Sequence, residues 1–456
     1  MNRRKLAAAL AAVICSVVLA ACGSGGTVTA TGAVSAKLNG CGYPVYTKKV
    51  TLTWWTWTAN PADTVRNFEK CYPSITVQYP LVPSSTQEYA KLTAAMTAGA
   101  GAPDVVQIEY FALPDFIGQH DLVNIASVMG KYKNDYPAWV WNEVSSGTAV
   151  YASPEDIGPM GLAYRPALLR KYGLPVPVTY AQFASDAITL HRDDPKAYMT
   201  YFPDSDGGYL VSLLWQAGAS MFRQTGKYSW KVDIDTTGNQ KTLQYWYDLA
   251  KAGGVEVTSD YTPAWETQIA DGTFASYMLA AWSPTYEIDE YLTGNSQQFA
   301  VTHMPEWTAG TETDANWGGS SQAVTIQSQH PEAAALFATF IDTSKSMLET
   351  DQQPATPSGG GLGIFPGDIH RASVPAFSAK VPNFQGNVNA EFAQYASTVN
   401  TSFQWSPFTE FLFTELSSEV TAAFSGTTTI SDALAATQSA VIKYGNASGY
   451  NVSAGT

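Results

Sequence analysis

Two periods of apolar residues alternate along the first part of the chain. Val50-Thr51-Leu52-Thr53-Trp54-Trp55 is rich in β-branched and aromatic residues and predicts a strand. Asp63 to Lys70 predicts a helix, and Ile75 to Tyr79 alternates again as a second strand. Glu88 to Ala98 places Leu92, Ala95 and Met96 at helical spacing, with Gly99 as a C-terminal stop. Pro103-Asp104 then leads into the short apolar strand Val105 to Ile108. Strand, helix, strand, helix, strand predicts an α/β domain with a mostly parallel sheet.

From about Val150 the punctuation is mainly helical. Helices are expected over Pro166–Tyr172, over Tyr180–Leu190 behind a Thr179 cap, over Asn239–Ala252 and over Pro331–Ile341. Pro354 to Gly367 is a Pro- and Gly-rich loop, and two final helices span about Pro407–Phe424 and Ser431–Tyr444. No internal repeat is visible. With 456 residues the chain is long enough for two or three domains.

The chain's longest apolar run is at its start. Arg3, Arg4 and Lys5 precede Leu6 to Val18, which is short for a membrane span and reads as an export signal over 1–21. Leu19-Ala20-Ala21-Cys22 resembles a bacterial lipobox, with Cys22 as the lipidated first residue. A Gly/Ser/Thr/Ala stretch follows over 22–40, the composition of a flexible tether. These features predict a protein held at the extracytoplasmic face of a bacterial cell membrane by a lipid alone.

Charge and cysteines fit that compartment. The net charge is −14, and loss of the three basic residues of the leader leaves −17. That balance argues against nucleic acid or an anionic membrane surface as partner. Of four cysteines, Cys15 lies in the leader and Cys22 is the lipid site, so Cys41 and Cys71 form an even pair expected as a disulfide, the alternative being two buried thiols.

No P-loop, His-Glu-x-x-His, Gly-x-Ser-x-Gly elbow or dinucleotide fingerprint appears, and the five histidines lack metal-ligand spacing. Neither cofactor nor metal is expected. Ligands of open α/β sheets lie beyond the carboxyl ends of the strands, which directs attention to Trp57, Glu109 and Tyr110.

Four stretches carry a resemblance: Tyr89–Ile108, Tyr151–Tyr172 with the GLPVPVTYAQF that follows it, Gly272–Trp282 and Trp317–Ile341. Their order resembles the extracellular solute-binding proteins of ABC importers, in the carbohydrate-binding branch related to maltose-binding protein. The resemblance implies a two-lobed α/β fold of the periplasmic-binding-protein type II class. Each lobe is then a mixed sheet flanked by helices, with two or three hinge crossings near Val150–Gly158, Gly319–Val324 and Pro354–Gly367. The lobes implied are 41–153 plus 322–356 and 154–321 plus 357–456.

The resemblance further implies a monomeric, non-enzymatic receptor that captures a sugar or oligosaccharide between its lobes and delivers it to permease subunits. A polyol, peptide or polyamine ligand, or a sensor or surface enzyme on the same scaffold, stays open. Sugars offer apolar C–H faces and hydroxyls, so aromatic faces and fixed polar groups are the expected contacts. The positions implied are Trp57, Glu109, Tyr110, Asp156, Trp282, Trp317, Gly319, Ser320 and Trp405. Some relatives carry a sugar-gripping Arg near Trp405, and Asn400 to Pro407 has none. Trp54, Trp55 and Trp215 are expected in the core.

Overall fold

The computed structural model describes residue 29 and residues 35–285, 292, 299–355 and 360–455. The expected leader, Cys22 and most of the tether lie outside the described residues. No helix among the described residues is long and apolar enough to cross a membrane.

The strands that place the site are β1 (Val50–Trp55), β2 (Ile75–Gln78), β3 (Val105–Glu109), β4 (Ala152–Pro154), β5 (Met160–Tyr164), β6 (Ser276–Ala280), β7 (Ala300–Thr302) and β8 (Ser320–Val324). Between the first three run α1 (Pro61–Cys71) and α2 (Ser85–Ala98), and α3 (Leu113–Gly118) follows β3. Helix α2 starts three residues before the apolar pattern does, because the Ser84 side chain accepts from the Gln87 amide. It stops where Gly99 enters the left-handed region at φ 70°.

The first sheet has the order β2-β1-β3-β8-β4. β1 pairs parallel with β2 and β3, while β8 returns antiparallel between β3 and β4. Both of its faces are covered: Leu52 and Val105 on one side and Val106 and Ile108 on the other are fully buried. Phe337, from the buried helix Pro331–Thr343, meets Trp54 edge-on at 5.2 Å and Phe68 at 4.9 Å. The Pro-Asp pair has a structural role. Asp104 accepts from the Thr53 amide at 2.8 Å and the Ser328 hydroxyl at 2.6 Å, tying β1, β3 and the end of β8 together. Trp54 and Trp55 are buried in this layer.

The second half is assembled from smaller sheets: β6-β5-β7, Thr200–Phe202 with Val255–Val257, and Asn451–Ala454 with Ser229–Val232 and Phe222–Gly226. Every residue of the helix Gly207–Gln216 except Gly208 is buried, and the helix carries Trp215 in the core. Helices Thr409–Phe424 and Ile430–Ala447 close this half.

Three chain segments run side by side between the halves. The Ile157 amide donates to the Phe365 carbonyl and the Gly367 amide to the Glu155 carbonyl, both at 2.9 Å. The Trp317 amide donates to the Gly158 carbonyl at 2.8 Å. The 3-10 turns Ile369–Ser373 and Pro375–Ser378 then pack against the helix Lys345–Asp351. The Cys41–Cys71 disulfide is formed and anchors the C-terminus of α1 to the segment before β1.

Candidate functional site

Where these segments meet, a pocket of about 140 Å³ opens. Its walls are Trp57 and Thr58 after β1, Gln107 and Glu109 on β3, Glu155 and Asp156 after β4, Trp282 after β6, Gly318 to Ser320 entering β8, and Ile364. Parallel pairing of β1 with β3 puts their carboxyl ends together, and β8 delivers Ser320 opposite Glu109 in register. Gln107 and Glu109 share a face because side chains alternate along a strand.

Gln107 fixes one wall. Its Oε1 accepts from the Thr56 hydroxyl at 2.7 Å, the Thr58 hydroxyl at 2.8 Å and the Trp57 amide at 3.2 Å. Its Nε2 donates to Glu155 Oε2 at 3.0 Å. One amide therefore holds the Trp57 turn against the Glu155 carboxyl. Tyr89 does a similar task from α2. Its hydroxyl accepts from the Glu109 amide at 2.8 Å and donates to Glu109 Oε2 at 3.3 Å, and its ring meets Trp57 edge-on at 6.0 Å.

The opposite wall is held by backbone. Trp282 Nε1 donates to the Trp317 carbonyl at 3.0 Å, with the two rings 5.3 Å apart. Asp156 Oδ1 accepts from the Ser320 amide at 2.7 Å. Gly319 sits at φ 95°, and a Cβ there would come within 2.8 Å of the Tyr110 ring. The glycine lets the backbone cross over that ring.

The pocket is acidic. Burial pushes the Glu109 carboxyl up to about 8, against a weaker opposing hydrogen bond from Ser85. Burial also raises Glu155 and Asp156, and their mutual repulsion raises Glu155 further. Carboxyls held near neutrality can donate as well as accept, which suits hydroxyl groups.

Of the nine positions implied by the sequence, the structure brings six to this pocket: Trp57, Glu109, Asp156, Trp282, Gly319 and Ser320. Tyr110 lies beneath it, buried, its hydroxyl donating to the Asp156 carbonyl at 2.9 Å. Trp317 is buried behind Trp282 against Tyr209. Trp405 lies elsewhere, in a cluster with Phe403, Phe111 and Phe413. Thr58, Gln107, Glu155, Gly318 and Ile364 complete the lining unforeseen. Alternation from Glu109 points to Gln107, and Glu155 adjoins Asp156, while nothing in the sequence marks Ile364. Among the described residues one group of side chains has metal-like proximity: Asp135, Asp368 and His370. There His370 Nδ1 meets Asp368 Oδ1 at 2.9 Å, so a hydrogen-bonded pair accounts for the contact.

The family described as bacterial extracellular solute-binding protein matches residues 40–347. An arabinooligosaccharide-binding protein of Halalkalibacterium halodurans is 23% identical over 270 residues, 58% of this chain and 59% of the relative. Its namesake in Bacillus subtilis is 23% identical over 314 residues, 64% of this chain and 69% of the relative. The first of these matches thus spans under two thirds of the relative's own length. Among solved structures, an ABC-transporter-associated binding protein from B. animalis subsp. lactis Bl-04, in complex with β-1,6-galactobiose, superposes with a TM-score of 0.77 at 26% identity, covering 89% of this chain and 99% of that one. The galacto-N-biose-/lacto-N-biose I-binding protein of Bifidobacterium longum gives 0.76 at 21% identity, over 90% and 100%.

Proposed function

We propose, for a chain that belongs to the bacterial extracellular solute-binding protein family, a role as the receptor of an ABC importer for a sugar or oligosaccharide. The observation that carries this reading is the pairing of Trp57 and Trp282 with Glu109, Glu155 and Asp156 around one pocket. Aromatic faces cover the C–H surfaces of a sugar ring, and fixed carboxyls bind its hydroxyls. The relatives named above are saccharide-binding proteins rather than enzymes, and we extend the absence of catalysis to this chain. Ligand binds the closed arrangement of lobes better than the open one and shifts the population toward it. The loaded form then docks on permease subunits. Cys22 anchors the monomer to the outer face of the membrane through the flexible 22–40 segment.

A second reading has an observation of its own. Three carboxyls around one pocket would suit a polyamine. Their upward displacement by burial disfavours it, because a cation site keeps its carboxylates charged. Calorimetric titration of the full chain with arabinotriose, β-1,6-galactobiose and maltotriose, against spermidine, separates the two. Saturable binding of a saccharide supports the receptor reading. Binding of spermidine alone overturns it in favour of the cationic solute.

A further inference from the structure

The first sheet carries a row of amides and hydroxyls behind the pocket. Gln107 on β3 stands opposite Gln322 on β8, and Gln322 opposite Ser153 on β4, all three buried. Trp54 Nε1 donates to Gln322 Oε1 at 2.9 Å, and Phe337 packs on Trp54, so the helix Pro331–Thr343 covers this face. That helix brings Asp342, and the helix Lys345–Asp351 brings Asp351. Glu155 and Asp156 come from the segment that crosses between the halves.

Four buried carboxyls thus gather where the halves join, and among the described residues none of them has a salt-bridge partner. Arg371 Nη1 donates instead to the carbonyls of Pro366, Gly367 and Asp368. The contacts require protons on the acids. Thr58 has one hydroxyl proton, and Gln107 Oε1 accepts it at 2.8 Å, so only the Glu155 carboxyl can supply one to the 3.5 Å contact between its Oε1 and Thr58. Asp342 Oδ2 is buried without a hydrogen bond, as are Ser153 Oγ and Gln322 Nε2, and an ionised oxygen there would carry an uncompensated desolvation cost. Burial first, then the Glu155 charge, holds Asp342 and Asp351 well above the carboxylate range. Burial and then Asp156 push Glu155 up to about 8. Glu88, Glu109 and Tyr110 also face the cluster, and Tyr136 donates to the Asp342 carbonyl at 3.3 Å; none of these is cationic. Lys91 acts on Glu88 from over the Trp55 ring.

Trp57 and Gln107 wall the pocket on one side and Trp282 on the other, so parting the halves admits water to Glu155. Building on the receptor role proposed above, we propose that Glu155 takes up a proton as the halves close on a ligand, so that the solute is captured together with H⁺. A carboxyl whose pKa rises on closure favours the closed form at low pH and loses that advantage as pH climbs through about 8. Affinity for the solute therefore falls toward alkaline pH.

Calorimetric titration of the full chain with maltotriose, arabinotriose and β-1,6-galactobiose, in phosphate and in Tris, counts the protons bound with the saccharide from the difference in apparent enthalpy. Wild type is expected to take up at least about half a proton at pH 7, and to bind up to about tenfold more weakly per pH unit between pH 6 and pH 8. Glu155→Gln, a neutral mimic, is expected to remove most of that uptake and flatten the profile. Asp342→Asn, outside the pocket, is expected to keep the affinity at pH 6 within about threefold while moving the profile's midpoint to lower pH, because carboxyls that share protons titrate as a set. Uptake that survives Glu155→Gln but disappears in Glu109→Gln assigns the proton to the strand end and overturns the proposal, and so does an Asp342→Asn profile that does not move. Saccharide binding without proton uptake, constant within about threefold from pH 6 to pH 8, overturns the proposal and leaves the receptor reading standing. No binding of any of the three saccharides overturns both.

Discussion

Trp282→Ala gives the sharpest consequence of the pocket geometry. The ring is part-exposed and lines the pocket, and one edge is tied to the Trp317 carbonyl. Truncation removes a wall rather than a core group. A sugar face covering about 100 Å² of indole would forfeit about 2.5 kcal/mol at 25 cal/mol per Å². That corresponds to a dissociation constant about 70-fold weaker. The protein itself loses the hydrogen bond to the Trp317 carbonyl and the ring pair with Trp317, each worth about 1 kcal/mol, so its folding stability should fall by at least about 2 kcal/mol. Calorimetric titration at a temperature where the variant is fully folded measures the first effect, and urea unfolding the second. Trp246→Phe is the control, because Trp246 packs against Phe183 and Phe202 in the core and does not line this pocket. Its pocket affinity should stay within a factor of two. A folded Trp282→Ala protein that binds within threefold of wild type would refute the reasoning, as would a larger loss in Trp246→Phe.

Four further outcomes follow from the packing. Gln107→Ala removes three acceptor contacts and the donor to Glu155, leaving buried groups unpaired, and should cost about 2–4 kcal/mol in urea unfolding; a cost under 0.5 would contradict its role as the anchor of the Trp57 turn. Replacing Cys41 and Cys71 together by Ser opens a loop of 30 residues and should cost about 3–4 kcal/mol, with Tm falling in a scan of the variant against wild type. Glu88 is buried with neither carboxyl oxygen hydrogen-bonded, and burial pushes it up to about 9, so Glu88→Met should raise Tm at pH 8, and an unchanged or lower Tm would contradict this. Because burial raises Glu88 and Glu109, the folded chain binds more protons than the unfolded one between their ordinary values near 4.5 and about 8–9, so stability should fall as pH rises through that window; a Tm at pH 8.5 above that at pH 5.5 would contradict the sign.

The first half of the fold was readable because its elements carry strong local signals. β1 to β3 are bounded by turn residues, and α2 ends on a glycine that the left-handed turn requires. The strands of the second half were not. Met160–Tyr164 and Ser276–Ala280 are buried along nearly their whole length, so no alternation marks them, and they are too short to separate from buried helix by composition. The helix Gly207–Gln216 hides for the same reason: apolar on nearly every side, it has no polar stripe.

The pocket was partly legible for a topological reason. Strand ends mark Trp57 and Glu109 directly, but Glu155 and Ile364 come to one pocket only because their two segments run side by side, a pairing that spans more than two hundred residues. Trp405 shows the converse. An aromatic near an expected site is as readily absorbed into a cluster of other aromatics, and 13 Trp, 25 Tyr and 19 Phe make such clusters common here.

Small-angle scattering of the full chain, free and titrated with the saccharide that binds most tightly in calorimetry, tests the central claim most directly. Capture between two lobes predicts a radius of gyration that falls on titration and saturates with the calorimetric dissociation constant, the fall being shifted to higher concentration in Trp282→Ala. A radius unchanged at saturation would contradict lobe closure around a sugar.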